Sequence, residues 1–234
     1  AGFVWDRADE TNVFAKDKDG DEQHDLHAIN VKTSAVSQLT SDPTCQEYPG
    51  EFSPDNQWLL VAANKQGQLN LWKMRPDGSD YLQLTNYRNP VFGSAGWSPD
   101  GQWIAYYTNE SPNLLNLDVY VMRADGSEAR CVLRVKEGSQ DRASDWSPAG
   151  QSLAVTSDAS GVNRPGILNW QTGEARWLGE EGVDETTLKF SDNGEMLVCL
   201  RNQDSQIRPV IYDAQTGARR DLKRAVSRRP GRRR

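Results

Sequence analysis

Nucleophile, base and soft-metal chemistry has little material in this 234-residue chain: two histidines, His24 and His27, and three cysteines, Cys45, Cys131 and Cys199. The cysteines lie far apart with no Cys-x-x-Cys pair, so they offer no metal-ligand spacing. Their odd number, without a secretory signal, points to a reducing compartment and to buried thiols acting as small apolar groups. The histidines stand three apart in a segment that reads as extended, which puts them on opposite faces of a strand and argues against a shared metal. Any Ser-His-Asp or Cys-His mechanism would have to use one of these two rings. Asp17-x-Asp19-Gly20-Asp21-Glu22 has the composition of a calcium loop, but an EF-hand needs glycine sixth and glutamate twelfth. Here Gly20 is fourth and Ala28 is twelfth, so the segment reads as a solvated acidic hairpin tip. No catalytic, cofactor or metal residue is assigned.

Carboxylates are the abundant functional group, with Asp+Glu 33 against Lys+Arg 27 and a formal net charge of −6. Seven of the basic residues fall within 223–234, which leaves residues 1–222 at −13. That balance excludes a globally basic nucleic-acid or anionic-membrane binder. The run from Lys223 to Arg234, interrupted by Pro230 and Gly231, is expected to be a disordered basic tail. The acids gather as Asp42, Glu47 and Glu51, as Asp141 and Asp145, and as Glu180, Glu181, Asp184 and Glu185. A negative rim of this kind attracts basic peptides or a free amino terminus. Glu180-Glu181, the one adjacent glutamate pair, is the candidate substrate-binding pair, against the alternative of a solubilising surface. The longest aliphatic-aromatic run, Trp58 to Ala63, is six residues, far short of the roughly 20 a membrane span needs. The first residues lack a basic start and an apolar stretch, so no signal peptide is read. The expected compartment is the cytoplasm, or the periplasm if the natural N-terminus is missing.

These residues are positioned by a repeat. Phe52-Ser53-Pro54-Asp55-Asn56-Gln57-Trp58 returns as Trp97-Ser98-Pro99-Asp100-Gly101-Gln102-Trp103, as Trp146-Ser147-Pro148-Ala149-Gly150-Gln151-Ser152 and as Phe190-Ser191-Asp192-Asn193-Gly194-Glu195-Met196. A degenerate copy, Trp5-Asp6-Arg7-Ala8-Asp9, opens the chain. The aromatic anchors at 5, 52, 97, 146 and 190 give units of 44 to 49 residues. Each unit predicts four short strands: one ending at the anchor, an apolar one after the Ser-Pro-Asp-Gly turn, an alternating one such as Asn70–Met74, and a last one after a tight hairpin such as Pro76-Asp77-Gly78-Ser79. No stretch keeps a helical period over ten residues. Four strands in about 45 residues, radially repeated, identify a β-propeller blade. The expected fold is therefore all-β, with blades at about 1–47, 48–92, 93–141, 142–185 and 186–222, then the tail 223–234. The motif serines recur because the turn recurs and are not nucleophiles, and the tryptophans pack between blades.

The Trp-Ser-Pro-Asp-Gly turn with its Asp-Gly or Thr-Gly hairpin resembles the WD40-like repeat of TolB-type propellers and, equally, the N-terminal propeller of prolyl oligopeptidase family serine peptidases, including acylaminoacyl-peptidases. The first unit, Lys16-Asp17-Lys18-Asp19-Gly20-Asp21-Glu22-Gln23 followed by a strand and by Gln38-Leu39-Thr40, is similar to a segment of those peptidase propellers. The resemblance covers about residues 1–222. It implies a gating or substrate-filter domain that admits short or unfolded peptides to an α/β-hydrolase domain, and a ring of six to eight blades of which five are visible. The hydrolase chemistry needs a Gly-x-Ser-x-Gly elbow followed by Asp and then His. No such elbow occurs here, and both histidines precede every candidate serine. The expectation is a non-catalytic propeller for peptide or protein ligands that works with a separate hydrolase domain. The alternative is a freestanding TolB-like scaffold for protein–protein binding.

Overall fold

The Ser-Pro-Asp-Gly turns are small hydrogen-bonded units. The Ser53 hydroxyl donates to Asp55 Oδ1 at 2.6 Å and accepts from the Trp58 N–H at 2.9 Å. Ser98 repeats both bonds with Asp100 and Trp103. The fourth turn position is left-handed, with φ of 61° at Asn56, 70° at Gly101, 69° at Gly150 and 72° at Gly194, a region glycine enters without steric cost. The turns also nest on one another. The proline rings of Pro54, Pro99 and Pro148 lie 3.3 to 3.8 Å from where a Cβ would stand on Gly101, Gly150 and Gly194.

The computed structural model describes residues 2–17, 20 and 23–220. The basic run 223–234 and most of the acidic tip, namely Lys18, Asp19, Asp21 and Glu22, lie outside those residues. Among the described residues there is no helix and there are five four-stranded antiparallel sheets, each in simple meander order. The first holds β1 (Phe3–Trp5), β2 (Thr11–Asp17), β3 (His24–Asn30) and β4 (Val36–Gln38). The second holds β5 (Glu47–Phe52), β6 (Leu59–Ala63), β7 (Asn70–Met74) and β8 (Leu82–Gln83). The third holds β9 (Val91–Trp97), β10 (Trp103–Thr108), β11 (Asp118–Arg123) and β12 (Arg130–Leu133). The fourth holds β13 (Arg142–Trp146), β14 (Ser152–Ser157), β15 (Arg164–Asn169) and β16 (Glu174–Trp177). The fifth holds β17 (Asp184–Phe190), β18 (Met196–Gln203), β19 (Gln206–Asp213) and β20 (Arg219–Arg220). This is an all-β propeller of about five blades.

The core consists of four slabs between successive sheets. Because side chains alternate across a strand, the second strands of the three middle sheets each feed two of them. Leu59 and Val61 pack toward the first sheet while Leu60 packs toward the third. Ile104 and Tyr106 face back, and Ala105 faces the fourth sheet. Burial on both faces is why Trp58–Ala63 reads as a continuous apolar run rather than an alternating one. Trimming a fully buried side chain of these slabs, for example Met122→Ala on β11, carries a cost of about 2–5 kcal/mol. The anchors Phe52, Trp97, Trp146 and Phe190 are buried, and the indole N–H of Trp146 donates to Gly96 O of the preceding sheet at 3.0 Å. Trp5, the first anchor, is 44% exposed.

Candidate functional site

The first strand of each later sheet carries a bulge just before its anchor. Against the second strand, register shifts between Pro49 and Phe52 in β5, between Ala143 and Asp145 in β13, and between Thr187 and Lys189 in β17. The irregularity in β9 falls between Phe92 and Gly96. A bulge inserts an unpaired residue and re-aims the side chain that follows it. The side chains so re-aimed stand immediately before the anchors: Glu51 within its bulge, and Asp145 and Lys189 just after theirs.

These residues meet at one end of the sheets, beside the Ser-Pro-Asp-Gly turns. A polar cavity of about 370 Å³ there is lined from all five sheets, with Arg7 from the first, Glu51 from the second, Trp97 from the third, Asp145 and Trp146 from the fourth and Lys189 from the fifth. A space bounded by every sheet is the mouth of the propeller's central channel. Its two acids are each bound to the next sheet. Glu51 Oε1 accepts the Trp97 N–H, and Asp145 Oδ2 accepts the Phe190 N–H at 2.8 Å. The Arg7 guanidinium donates to Phe52 O at 2.9 Å and lies 3.5 Å from Glu51 Oε2. Gly96, with φ of 55°, makes the Glu51 contact feasible, because a Cβ there would stand 2.0 Å from Glu51 Oε1.

Burial pushes the Glu51 carboxyl up to about 7, although the Trp97 N–H and the Arg7 charge both act against that shift. Burial also raises the Asp145 carboxyl, with the Phe190 N–H and Lys189 opposing. The mouth therefore combines two basic side chains with two acids, and Glu51 changes charge near neutral pH. Such a mixture offers partners to both termini and to the backbone groups of a peptide rather than to one sign of charge.

The acids grouped in the sequence divide between the two ends of the sheets. Glu51 and Asp145 stand at the mouth. Glu47, Asp141 and Glu185 stand five residues before their anchors and are fully or almost fully buried, roughly 13 Å further along each strand at about 3.3 Å per residue. Glu47 pairs with Lys65 at 3.0 Å, while Glu185 accepts from Arg201 Nε at 2.5 Å and from the Tyr212 hydroxyl at 2.6 Å. Glu180 joins that second network through Arg201 and Arg219. Glu181 is exposed beside it. The pair precedes β17, at the opposite end of the sheets from the Glu51 mouth. His24 lies toward Tyr48 of the second sheet, whereas His27 stacks on Phe14 across the other face of β3. Cys45 and Cys199 are buried and Cys131 is exposed, all three as free thiols. Among the described residues no three His, Cys, Asp or Glu side chains gather as a metal site, and no helix is long and apolar enough to cross a membrane.

Arg7 and Lys189 are the site residues that sequence reasoning missed. The signal for Lys189 lay in the register of the repeat. The position before the anchor reads Val4, Glu51, Gly96, Asp145, Lys189, varying in charge inside an otherwise repeated frame. A position that differs from copy to copy is free of the packing constraint its neighbours share.

No family model matches the chain. It is 24% identical over 144 residues to the protein Atu1656 of Agrobacterium fabrum, an alignment covering 57% of this chain and 47% of that protein. It is 37% identical over 79 residues to the Tol-Pal system protein TolB of Anaeromyxobacter dehalogenans, covering 34% and 17% respectively. The matched region thus spans at most about half the length of these relatives. Among solved structures, TolB from Acinetobacter baumannii superposes with a TM-score of 0.68 at 17% identity, covering 94% of this chain and 53% of that one. A puromycin-hydrolysing peptidase of Mycobacterium tuberculosis gives 0.72 at 18% identity, covering 91% and 36%. Likeness at these identities is a likeness of fold: the chain has a TolB-like β-propeller fold, with TolB proteins and prolyl oligopeptidase-type peptidases as its structural neighbours.

Proposed function

We propose that the chain is a non-catalytic, peptide-binding β-propeller whose central mouth takes an extended polypeptide segment carrying charge of both signs. The convergence of Arg7, Glu51, Asp145 and Lys189 from separate sheets on one polar cavity carries this reading. Extended segments expose backbone N–H and C=O groups as well as side chains, and a rigid rim of opposite charges can meet both. Two settings use such a mouth. As part of a prolyl oligopeptidase-like peptidase it would filter peptides on their way to a hydrolase domain. As a freestanding TolB-like scaffold it would hold a protein partner. Three free cysteines fit a reducing compartment for either.

Fluorescence anisotropy with labelled, unstructured peptides of mixed charge tests the reading. We expect saturable binding by the native chain and a loss of about tenfold, or roughly 1.4 kcal/mol, in Lys189→Ala and Asp145→Asn. Equal binding by all three chains would remove the mouth from the function. A fluorophosphonate probe applied to the native gene product separates the settings. A serine-labelled product favours the filter, and an unlabelled one favours the scaffold.

A further inference from the structure

A second recess lies at the opposite end of the sheets from the mouth, between the third and fourth blades. Its lining comes from Val135, which follows β12, from Ser157, Ala159 and Ser160 at the β14–β15 connection, and from Arg164 and Trp177 on β15 and β16. The volume is about 90 Å³, close to three waters at roughly 30 Å³ each in the liquid. That is room for one branched aliphatic side chain.

The walls are apolar by construction. Trp177 pairs with Gly166 across β15 and β16, and its ring lies flat over the glycine, with Cε3 at 2.8 Å from where a Cβ would stand. Any other residue at 166 would push the indole out of the wall. Ala159 and Val135 complete the apolar lining. The polar groups are Arg164, Ser157 and Ser160, whose hydroxyl donates to Val162 O at 3.3 Å. The Arg164 Nε donates to Leu178 O at 3.2 Å, which orients the guanidinium, and among the described residues no carboxylate pairs with it. The Ser157 hydroxyl is already committed, donating to Asp141 and accepting from Ala159 N. An oriented, unpaired guanidinium beside a small apolar recess matches a carboxylate attached to a branched aliphatic group, because guanidinium and carboxylate form paired charge-assisted bonds.

A polar groove of about 240 Å³ adjoins the recess at Ala159 and is lined by Lys136, Glu137, Ser139, Asp158 and Gly161. A free small acid would use only the recess. A polypeptide ending in Val, Leu or Ile would use both, with its last side chain against Trp177 and Val135, its terminal carboxylate on Arg164, and the preceding residues along the groove. We infer that this recess is a binding site for the C-terminal residue of a peptide ending in a branched aliphatic amino acid. The inference is independent of the Glu51 mouth, which lies at the other end of the sheets.

Isothermal titration of the whole chain tests it, using an acetylated tetrapeptide ending in leucine, the same peptide as its C-terminal amide, and isovaleric acid. The acid peptide is expected to bind, with affinity about tenfold or more above both the amide and isovaleric acid. Arg164→Gln is expected to reduce the acid peptide to the level of the amide. Ala159→Leu, which fills the recess and leaves the guanidinium in place, is expected to abolish binding with an unchanged circular dichroism spectrum. Lack of binding by the acid peptide would overturn the assignment, as would equal affinity for the amide. Isovaleric acid binding as tightly as the peptide would overturn the peptide as occupant in favour of a small free acid.

Discussion

Glu51 meets two opposed demands, because it is bonded to the neighbouring sheet as an acceptor yet half-buried as a charge. Its carboxyl stands at about 7 against an ordinary 4.5, so between those values the folded chain holds a proton that the unfolded chain has released. Folding stability therefore falls as pH rises through that window. Glu51→Gln keeps an oxygen for the Trp97 N–H and removes the charge. Scanning calorimetry is expected to show the variant more stable than the native chain at pH 8 and nearly equal to it at pH 4, below the ordinary carboxyl value. A difference that does not change with pH would contradict the assignment. Ala149 offers a second residue-level test. Ser147 bonds to Ser152 N as the other turn serines do, but Ala149 stands where Ser53 and Ser98 find Asp55 and Asp100. Ala149→Asp should add that bond, stabilise by about 0.5–1.5 kcal/mol, and raise Tm by a few degrees. An unchanged Tm would mean the fourth turn is not organised like the second and third.

The sheets were legible from the sequence, and the bulges within them were not. A turn announces itself by residue type, since proline presets φ and glycine accepts left-handed backbone, and its recurrence every 44 to 49 residues spaces the sheets. The bulges share no residue type. They fall at Gly50-Glu51, Ser144 and Leu188, and their position depends on how the first strand must bend. Without them the acids read as one rim, whereas the strand separates Glu51 from Glu47. Ion pairing was equally hidden, because Glu180 meets Arg219 from 39 residues away. Gly96 tests this scale. Gly96→Ala must combine a left-handed alanine with displacement of the Glu51 carboxylate, whereas Gly161→Ala, at φ 97° with nothing within 4 Å, meets backbone strain alone. Against about 1–2 kcal/mol for strain, Gly96→Ala is expected to lose at least about 1 kcal/mol more by chemical denaturation. Equal losses would mean the Glu51–Trp97 bond contributes nothing.

At the scale of the whole molecule, the four inter-sheet slabs leave two sheet faces without a partner slab among the described residues. On the first sheet Phe3, Phe14 and His27 lie side by side across three strands, as do Trp5, Asn12, Ile29 and Val36 across four. Phe3 is 70% exposed and Val36 58%. On the fifth sheet Val198 pairs with Ile211 and Leu200 with Pro209 on the face turned from the fourth. Contiguous apolar surface of this kind drives association. Sedimentation velocity is expected to show the purified chain self-associating as concentration rises, and Phe3→Ser with Trp5→Ser together to suppress it. A native chain that stays monomeric at high concentration would refute this. The proline-on-glycine contacts between turns have a different consequence. Pro54 on Gly101, Pro99 on Gly150 and Pro148 on Gly194 join the same two repeat positions each time. Unequal recombination between the third and fourth copies, which each carry both the proline and the glycine, would therefore yield turns that still meet a matching neighbour. A deletion of ten residues within one unit would disrupt both of its interfaces. Copy number, more than the length of a copy, is the variable that this architecture leaves open to evolution.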